Sequence, residues 1–297
     1  MEYGHTLADD ASAARPIFLL GVGRCASTFQ QSQLCNADDV WIWGEHNGIL
    51  SKLLAWGDCV RADSNLNRLS FAGDNSPEAI MGGPLGGNAT PAAWLNGFRP
   101  TDIDQVERLA IAKLFSIGLP PGKARWGFKE IRYGLNDDVP ERLLALFPGA
   151  KIVHTLRDPM KTAESAIVTW GYQRFTQIVE TDDDERLDAV YQKQLKRWKA
   201  GTDYYLDLEE RYPDRVITSR IETFRSEFGR ILDFLEIERE PDDGNDDGGV
   251  VNRGRRRSLE PGSKAAQMLA ERRARFAGIV ADTAQRAGYE LRTLASA

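Results

Sequence analysis

The stretch Ile17-Phe18-Leu19-Leu20-Gly21-Val22-Gly23-Arg24-Cys25-Ala26-Ser27-Thr28 decides the fold. Its first four residues are an unbroken apolar run, preceded by Arg15-Pro16 and followed by a glycine loop, the pattern of a strand buried on both faces. Ser27 and Gln30 then stand in S-x-x-Q spacing, which predicts a helix with a capping box, running through Leu34. The same rhythm recurs. Further apolar runs lie at Val40-Trp41-Ile42-Trp43, Trp126-Gly127-Phe128, Lys151 to Leu156 and Arg215-Val216-Ile217-Thr218. Between the last two, the spacing predicts a helix from Pro159 to Trp170 and a longer one with Leu187, Val190, Tyr191, Leu195, Trp198, Tyr205 and Leu208 on its apolar face. Short buried strands alternating with helices predict an α/β fold, P-loop-like and three-layered (α/β/α), with a central parallel sheet of about five strands flanked by helices.

Residues 57–100 are rich in Gly, Asn, Pro and Asp and read as a long loop region. Ile103, Val106, Ala110, Leu114 and Ile117 then form a helical stripe, read as core. A second irregular stretch, 241–257, joins an acidic run to the basic run Arg253-Gly254-Arg255-Arg256-Arg257. One final helix is expected to bury Met268, Leu269, Phe276, Ile279, Val280 and Ala284. No repeat or boundary divides the chain, so a single domain over 1–297 is the simplest organisation, with its core at 16–290.

The chain has 38 Lys plus Arg against 44 Asp plus Glu, a formal charge of −6, with 42% hydrophobic and 28% charged residues. That composition describes a folded chain with a sizeable core. An acidic total argues against coating nucleic acid or anionic membrane through the overall field. The three cysteines, Cys25, Cys35 and Cys59, include no C-x-x-C pair, which speaks against a disulfide framework or structural zinc and fits a reducing cytoplasm. No signal peptide or membrane span is expected, so the location expected is cytoplasmic.

A glycine loop between strand and helix offers backbone N–H groups and a helix N-terminus to an anion. Tested against G-x-x-x-x-G-K-[ST], the loop keeps only Thr28: Ala26 and Ser27 replace the second glycine and the lysine, and the basic residue has moved to Arg24. That counts against a magnesium-dependent triphosphatase. It suits a loop that holds one 5′-phosphate and aims a single cation at its leaving oxygen, although a merely structural turn and cap would share the pattern. The strand ending at Leu156 leads into Arg157-Asp158-Pro159, with Ser165 eight residues after Arg157 on the second turn of the next helix. An arginine fork and a hydroxyl suit a second phosphate. The plain alternative is an Arg–Asp surface pair beside a helix serine.

Gly23-Arg24-Cys25-Ala26-Ser27-Thr28, Trp126 to Tyr133, and Arg157-Asp158-Pro159 with Ser165 together resemble the sulfotransferases that use 3′-phosphoadenosine 5′-phosphosulfate (PAPS), most closely their bacterial carbohydrate and small-molecule branch. The resemblance spans 17–236 in element order. It departs where many members have Ser-Gly and this chain has Cys25-Ala26. It implies that Gly23, Arg24, Cys25, Ala26, Ser27 and Thr28 hold the 5′-phosphosulfate, that Arg157 and Ser165 hold the 3′-phosphate, and that Arg253 and Arg255 close over the nucleotide. It also implies PAPS as co-substrate, leaving as 3′-phosphoadenosine 5′-phosphate (PAP), and a small-molecule or carbohydrate acceptor; the transfer scheme requires no metal, and the 57–125 insertion, a long segment on a rigid scaffold, is expected to shape the acceptor site.

Transfer to a hydroxyl or amine needs positive charge at the bridging oxygen and a base opposite it. Arg24 is the candidate for the first role. Glu45, in Trp43-Gly44-Glu45-His46 at the carboxyl edge of the sheet, is the candidate base, with His46 second. Lys129, Glu130 and Arg132, expected just past a strand end, offer an ion-pair network, of which Lys129 is a candidate beside the transferring group. His154 is read as a core residue and Cys25 as a small packed side chain rather than a reactive thiol. The alternatives are a P-loop kinase using ATP, or a non-catalytic nucleotide- or RNA-binding protein built on Arg253 to Arg257.

Overall fold

Alternate residues of the first strand, β1 (Ile17–Leu20), enter two different apolar cores. Phe18 and Leu20 pack with Phe128, Phe147 and Ile152, while Ile17 and Leu19 pack with Leu34, Ile42, Val153 and Ile217. A strand apolar at every position needs cover on both faces of its sheet. The computed structural model, which describes residues 14–37, 39–69, 97–238 and 259–290, shows that cover. β1 lies at the centre of a parallel five-stranded sheet with β2 (Val40–Trp43), β3 (Arg125–Glu130), β4 (Lys151–Leu156) and β5 (Val216–Arg220), in the order β2-β3-β1-β4-β5.

Helices α1 (Ser27–Cys35), α2 (Ile49–Ala62), α3 (Ser64–Leu69), α4 (Ile103–Ser116), α5 (Val139–Leu146) and α6 (Pro159–Trp170) alternate with the first four strands. They are followed by α7 (Tyr172–Thr181), α8 (Asp184–Arg211), α9 (Phe224–Leu235), α10 (Lys264–Phe276) and α11 (Ala281–Arg286). α1 and α9 cover one face through Leu34, Phe224 and Ile231; α2, α4, α5 and α8 cover the other through Leu50, Phe115, Leu143 and Tyr205. A third core joins α6, α7, α8 and α10 to Val22 and Cys25 of the glycine loop. The three-layer α/β/α reading thus holds. Among the described residues, no helix is long and apolar enough to cross a membrane.

Four expectations are corrected. β3 runs to Glu130, so Lys129 and Glu130 are strand residues rather than residues past its end. Residues 57–69 lie largely in α2 and α3, not in a loop; residues 70–96 are outside the described residues. The final helix is broken by a single 3-10 turn, Ala277–Ile279, between α10 and α11. In α4 the buried face is Ile103, Glu107, Ile111 and Phe115, leaving Val106, Leu114 and Ile117 exposed. The last misreading has an electrostatic cause. Glu107 is fully buried because Arg61 and Arg142 neutralise it at 2.7 and 3.1 Å, against α2 at Gly57, where a Cβ would stand 1.9 Å from its Oε1. A charge is tolerated inside when paired in this way.

His154 is a core residue, as its place in a strand predicts. Its ring stacks on Tyr205 at 4.8 Å between centroids and its Nδ1 meets Thr218 Oγ1 at 3.1 Å. Burial pushes its pKa down to about 3. The folded ring therefore stays neutral where the unfolded side chain, with a pKa of about 6.5, takes up a proton. Stability present above that value is lost as pH falls towards about 3, by up to about 1.4 kcal/mol per pH unit from this group. Urea titrations at about pH 7 and about pH 4.5 will show a smaller acid loss in His154→Phe than in the parent chain.

Candidate functional site

β1 and β4 are neighbours with Leu20 level with His154, so the loops that leave them emerge side by side at the carboxyl edge of the sheet. The first loop is bent tightly. Arg24 and Ala26 both take left-handed backbone, φ 73° and 58°, a strained state for non-glycine residues that concentrates at functional sites. Ala26 is the N-cap of α1 and offers no side-chain cap. The expected Ser27–Gln30 capping box is therefore absent: Ser27 is already the first helical residue, and Gln30 is buried with neither amide atom partnered among the described residues. Among those residues the N–H groups of Arg24, Ala26, Ser27 and Thr28 donate to no other backbone group.

In the second loop Asp158 turns away from Arg157 and caps α6, accepting from Lys161 N at 2.8 Å. The Arg–Asp surface pair is thus not formed. Arg157 donates instead from Nη1 to the carbonyl of Arg24 at 3.3 Å. Arg24 reaches across in return, donating from Nε to Ser165 Oγ at 3.0 Å and from Nη2 to Thr169 Oγ1 at 3.1 Å, with Trp170 5.7 Å from its guanidinium. The two candidate anion motifs, 141 residues apart in sequence, therefore touch directly. Gly23 makes room for Trp170, since a Cβ there would stand 2.1 Å from the indole. Burial, and then the charge of Arg157, lower the pKa of Arg24.

Across the sheet, Glu45 follows β2. Lys129 Nζ donates to its Oε1 at 2.6 Å and Arg132 Nη1 to its Oε2 at 3.1 Å. The β2–α2 loop that carries Glu45 is itself held by Glu130, a fully buried carboxylate that accepts from Gly48 N at 2.9 Å and His46 N at 3.3 Å and pairs with Arg132. Burial raises the Glu130 pKa, but the Gly48 and Ile131 N–H groups and Arg132 outweigh it and hold the carboxyl below its usual range. His46 does not line the cleft. Its ring packs against Phe115 and Phe128, its Nε2 meets Tyr133 Oη at 2.7 Å, and burial lowers its pKa.

These groups border one cleft of about 1170 Å³. It brings together Arg24, Ala26, Ser27, Thr28, Arg157, Ser165, Glu45 and Lys129 from the sequence-derived site. Gly23 and Cys25 support the loop from behind, and Arg253 and Arg255 are outside the described residues. The cleft adds residues that sequence reading missed: Lys161, Thr169 and Arg225. Lys161 and Arg225 follow β4 and β5 closely, and position at a carboxyl edge was the available signal.

A family model described as the sulfotransferase family matches residues 16–241. The chain belongs to the sulfotransferase family. No curated protein matches it. Among solved structures, a sulfotransferase from Alicyclobacillus acidocaldarius is similar at 18% identity and TM-score 0.46, covering 95% of this chain and 99% of that one. The sulfotransferase domain of the Synechococcus PCC 7002 olefin synthase is similar at 18% identity and TM-score 0.43, covering 87% and 95%. Sulfotransferase STF9 from Mycobacterium avium is similar at 15% identity and TM-score 0.41, covering 80% and 67%.

Within this sulfotransferase loop Cys25 is fully buried, and burial pushes its thiol up to about 12 despite contact with Thr162. It is a packing residue. Cys59 is exposed. Thiol labelling of the native protein at about pH 8 will modify Cys59 first and spare Cys25 until denaturant is added, as peptide mass mapping will show.

Proposed function

We propose that the protein transfers a sulfuryl group from PAPS to a hydroxyl or amine of a small-molecule or carbohydrate acceptor. The observation that carries this reading is the pattern of charge in the cleft. Arg24, Arg157, Lys161 and Arg225 line it, and among the described residues none of the four has a carboxylate partner. Unneutralised cations on one rim, beside loop N–H groups with no backbone acceptor, fit a polyanionic nucleotide with phosphates at both ends.

PAPS, when bound, supplies a sulfuryl group on a phosphate leaving group. Gly23, Cys25 and Ala26 shape the loop while Ser27, Thr28 and Arg24 offer donors to the 5′-phosphosulfate; Arg157 and Ser165 offer theirs to the 3′-phosphate. In this role Arg24 and the loop N–H groups counter the charge that grows on the leaving oxygen, a contribution larger in the transition state than in the ground state. The family resemblance gives Arg253 and Arg255 the task of closing over the nucleotide.

Glu45 takes the acceptor's proton. Lys129 and Arg132 each hold one of its oxygens, which leaves each oxygen a further lone pair for the acceptor hydroxyl. Lys129 is also a candidate donor to the group in transfer, since its ammonium sits at the end of β3, the strand next to β1. His46, turned into the aromatic core, is not assigned the base role.

Two measurements test the reading. Isothermal titration with PAP will show binding at micromolar concentration, and absence of binding would reject it. Glu45→Gln will lower the transfer rate by about 10²–10⁴-fold, the range of a general base, with PAP affinity retained; unchanged transfer would remove Glu45 from the role.

A further inference from the structure

Trp170 closes α6 and stands on the wall of the cleft with half of its surface exposed. The edge of its six-membered ring rests on Gly23, where a Cβ would stand 2.1 and 2.9 Å from Cη2 and Cζ2, with Ile131 Cδ1 3.1 Å from the same point. Gly23 follows β1 and Ile131 follows β3, so the indole lies over the seam between two neighbouring strands. One side of that seam carries the glycine loop, with the Arg24 guanidinium 5.7 Å from the Trp170 ring. The other side carries Lys129 and Arg132, which flank Ile131 in the chain and hold Glu45. The indole therefore borders both the residue assigned to the leaving oxygen and the segment that fixes the base.

The other aromatic side chain on the cleft, Phe29, packs edge-on against Phe224 at 5.5 Å. Trp43 and Trp198 are fixed by hydrogen bonds from Nε1 to the carbonyls of Phe115 and Arg157. Among the described residues Trp170 pairs with no aromatic ring and its Nε1 meets no acceptor. Apolar surface kept in water beside a reaction centre is removed from it by a flat ligand that stacks there. The polar groups around the indole are already engaged: Ser165 and Thr169 accept from Arg24, and Lys129 and Arg132 donate to Glu45. A sugar presents a hydroxyl on most of its carbons and needs many such partners, whereas an aromatic ring needs only the stacking surface. A carboxylate base also takes a proton more readily from a phenol, whose pKa is about 10, than from an aliphatic hydroxyl.

We propose that Trp170 binds the acceptor by stacking on the ring that bears its hydroxyl, and hence that the acceptors of this protein are phenolic compounds. The proposal rests on the sulfotransferase reading of the cleft and names, within it, the acceptor class and the side chain that selects it. A ring held on the indole keeps its hydroxyl between Arg24 and Glu45, where the sulfuryl group arrives and the proton leaves.

The test is isothermal titration of PAP-loaded protein with three compounds: naphthol, decahydronaphthol, which keeps the carbon skeleton but not the flat ring, and methyl glucoside. Naphthol will bind about tenfold or more tightly than either of the others. Trp170→Ala will abolish that preference and leave the affinity for PAP unchanged, which also shows that the variant is folded; Trp170→Phe will retain part of it. Equal affinity for naphthol and its saturated counterpart, tighter binding of the glucoside, or binding of none overturns the proposal. So does a Trp170→Ala protein that binds naphthol as the parent does, or one with a tenfold loss of PAP affinity, which would give the indole to the nucleotide. If the parent protein fails to bind PAP at all, the underlying reading fails instead, and the two failures are thereby told apart.

Discussion

β1 and β4 run parallel and adjacent, and this pairing brings the glycine loop and the Arg157 loop out of the sheet side by side. From there a single side chain completes the connection: Arg24 donates to Ser165 and Thr169 on α6, while Arg157 donates back to the carbonyl of Arg24. The first loop reaches this position only by holding Arg24 and Ala26 in left-handed backbone. The strain, about 1–3 kcal/mol per residue, is offset by the core behind it, where Val22 and Cys25 pack with Leu156, Met160 and Trp198. The sheet's central pairing and the cleft's charged rim are therefore one construction.

Two kinds of charge occur in this acidic chain. Glu107 with Arg61 and Arg142, Glu164 with Arg273, and Glu130 with Arg132 are carboxylates closed off by arginines, and they join helices or fix loops. Arg24, Arg157, Lys161 and Arg225 line the cleft with no carboxylate partner among the described residues. The net charge of −6 sums every charge of the chain and does not report how either population is placed. A small anion in a cleft responds to local donors rather than to the whole molecule's field.

The strands were legible because apolar runs between turn residues have few other uses, and β1, β2 and β4 fall where the sequence predicts them. Helical faces were less legible where charge enters the core. Val106, Leu114 and Ile117 have the spacing of a buried stripe, yet α4 is turned to bury Glu107, because two arginines from α2 and α5 neutralise it. The Ser27–Gln30 capping box failed for a related reason. A left-handed Ala26 starts the helix, a conformation that no residue pattern announces for alanine. Lys161 and Arg225 went unread because a lone basic residue after a strand resembles any solvated charge.

By itself the sequence determined the layered parallel sheet, the glycine loop, the Arg157–Ser165 spacing and the family, since all of these are written in short, contiguous patterns. Only the tertiary structure decided which groups meet. Arg24 and Ser165 are 141 residues apart, and Glu45 and Lys129 are 84 apart. Contact at such separation depends on strand order and helix rotation, which follow from packing of the whole core rather than from any local propensity.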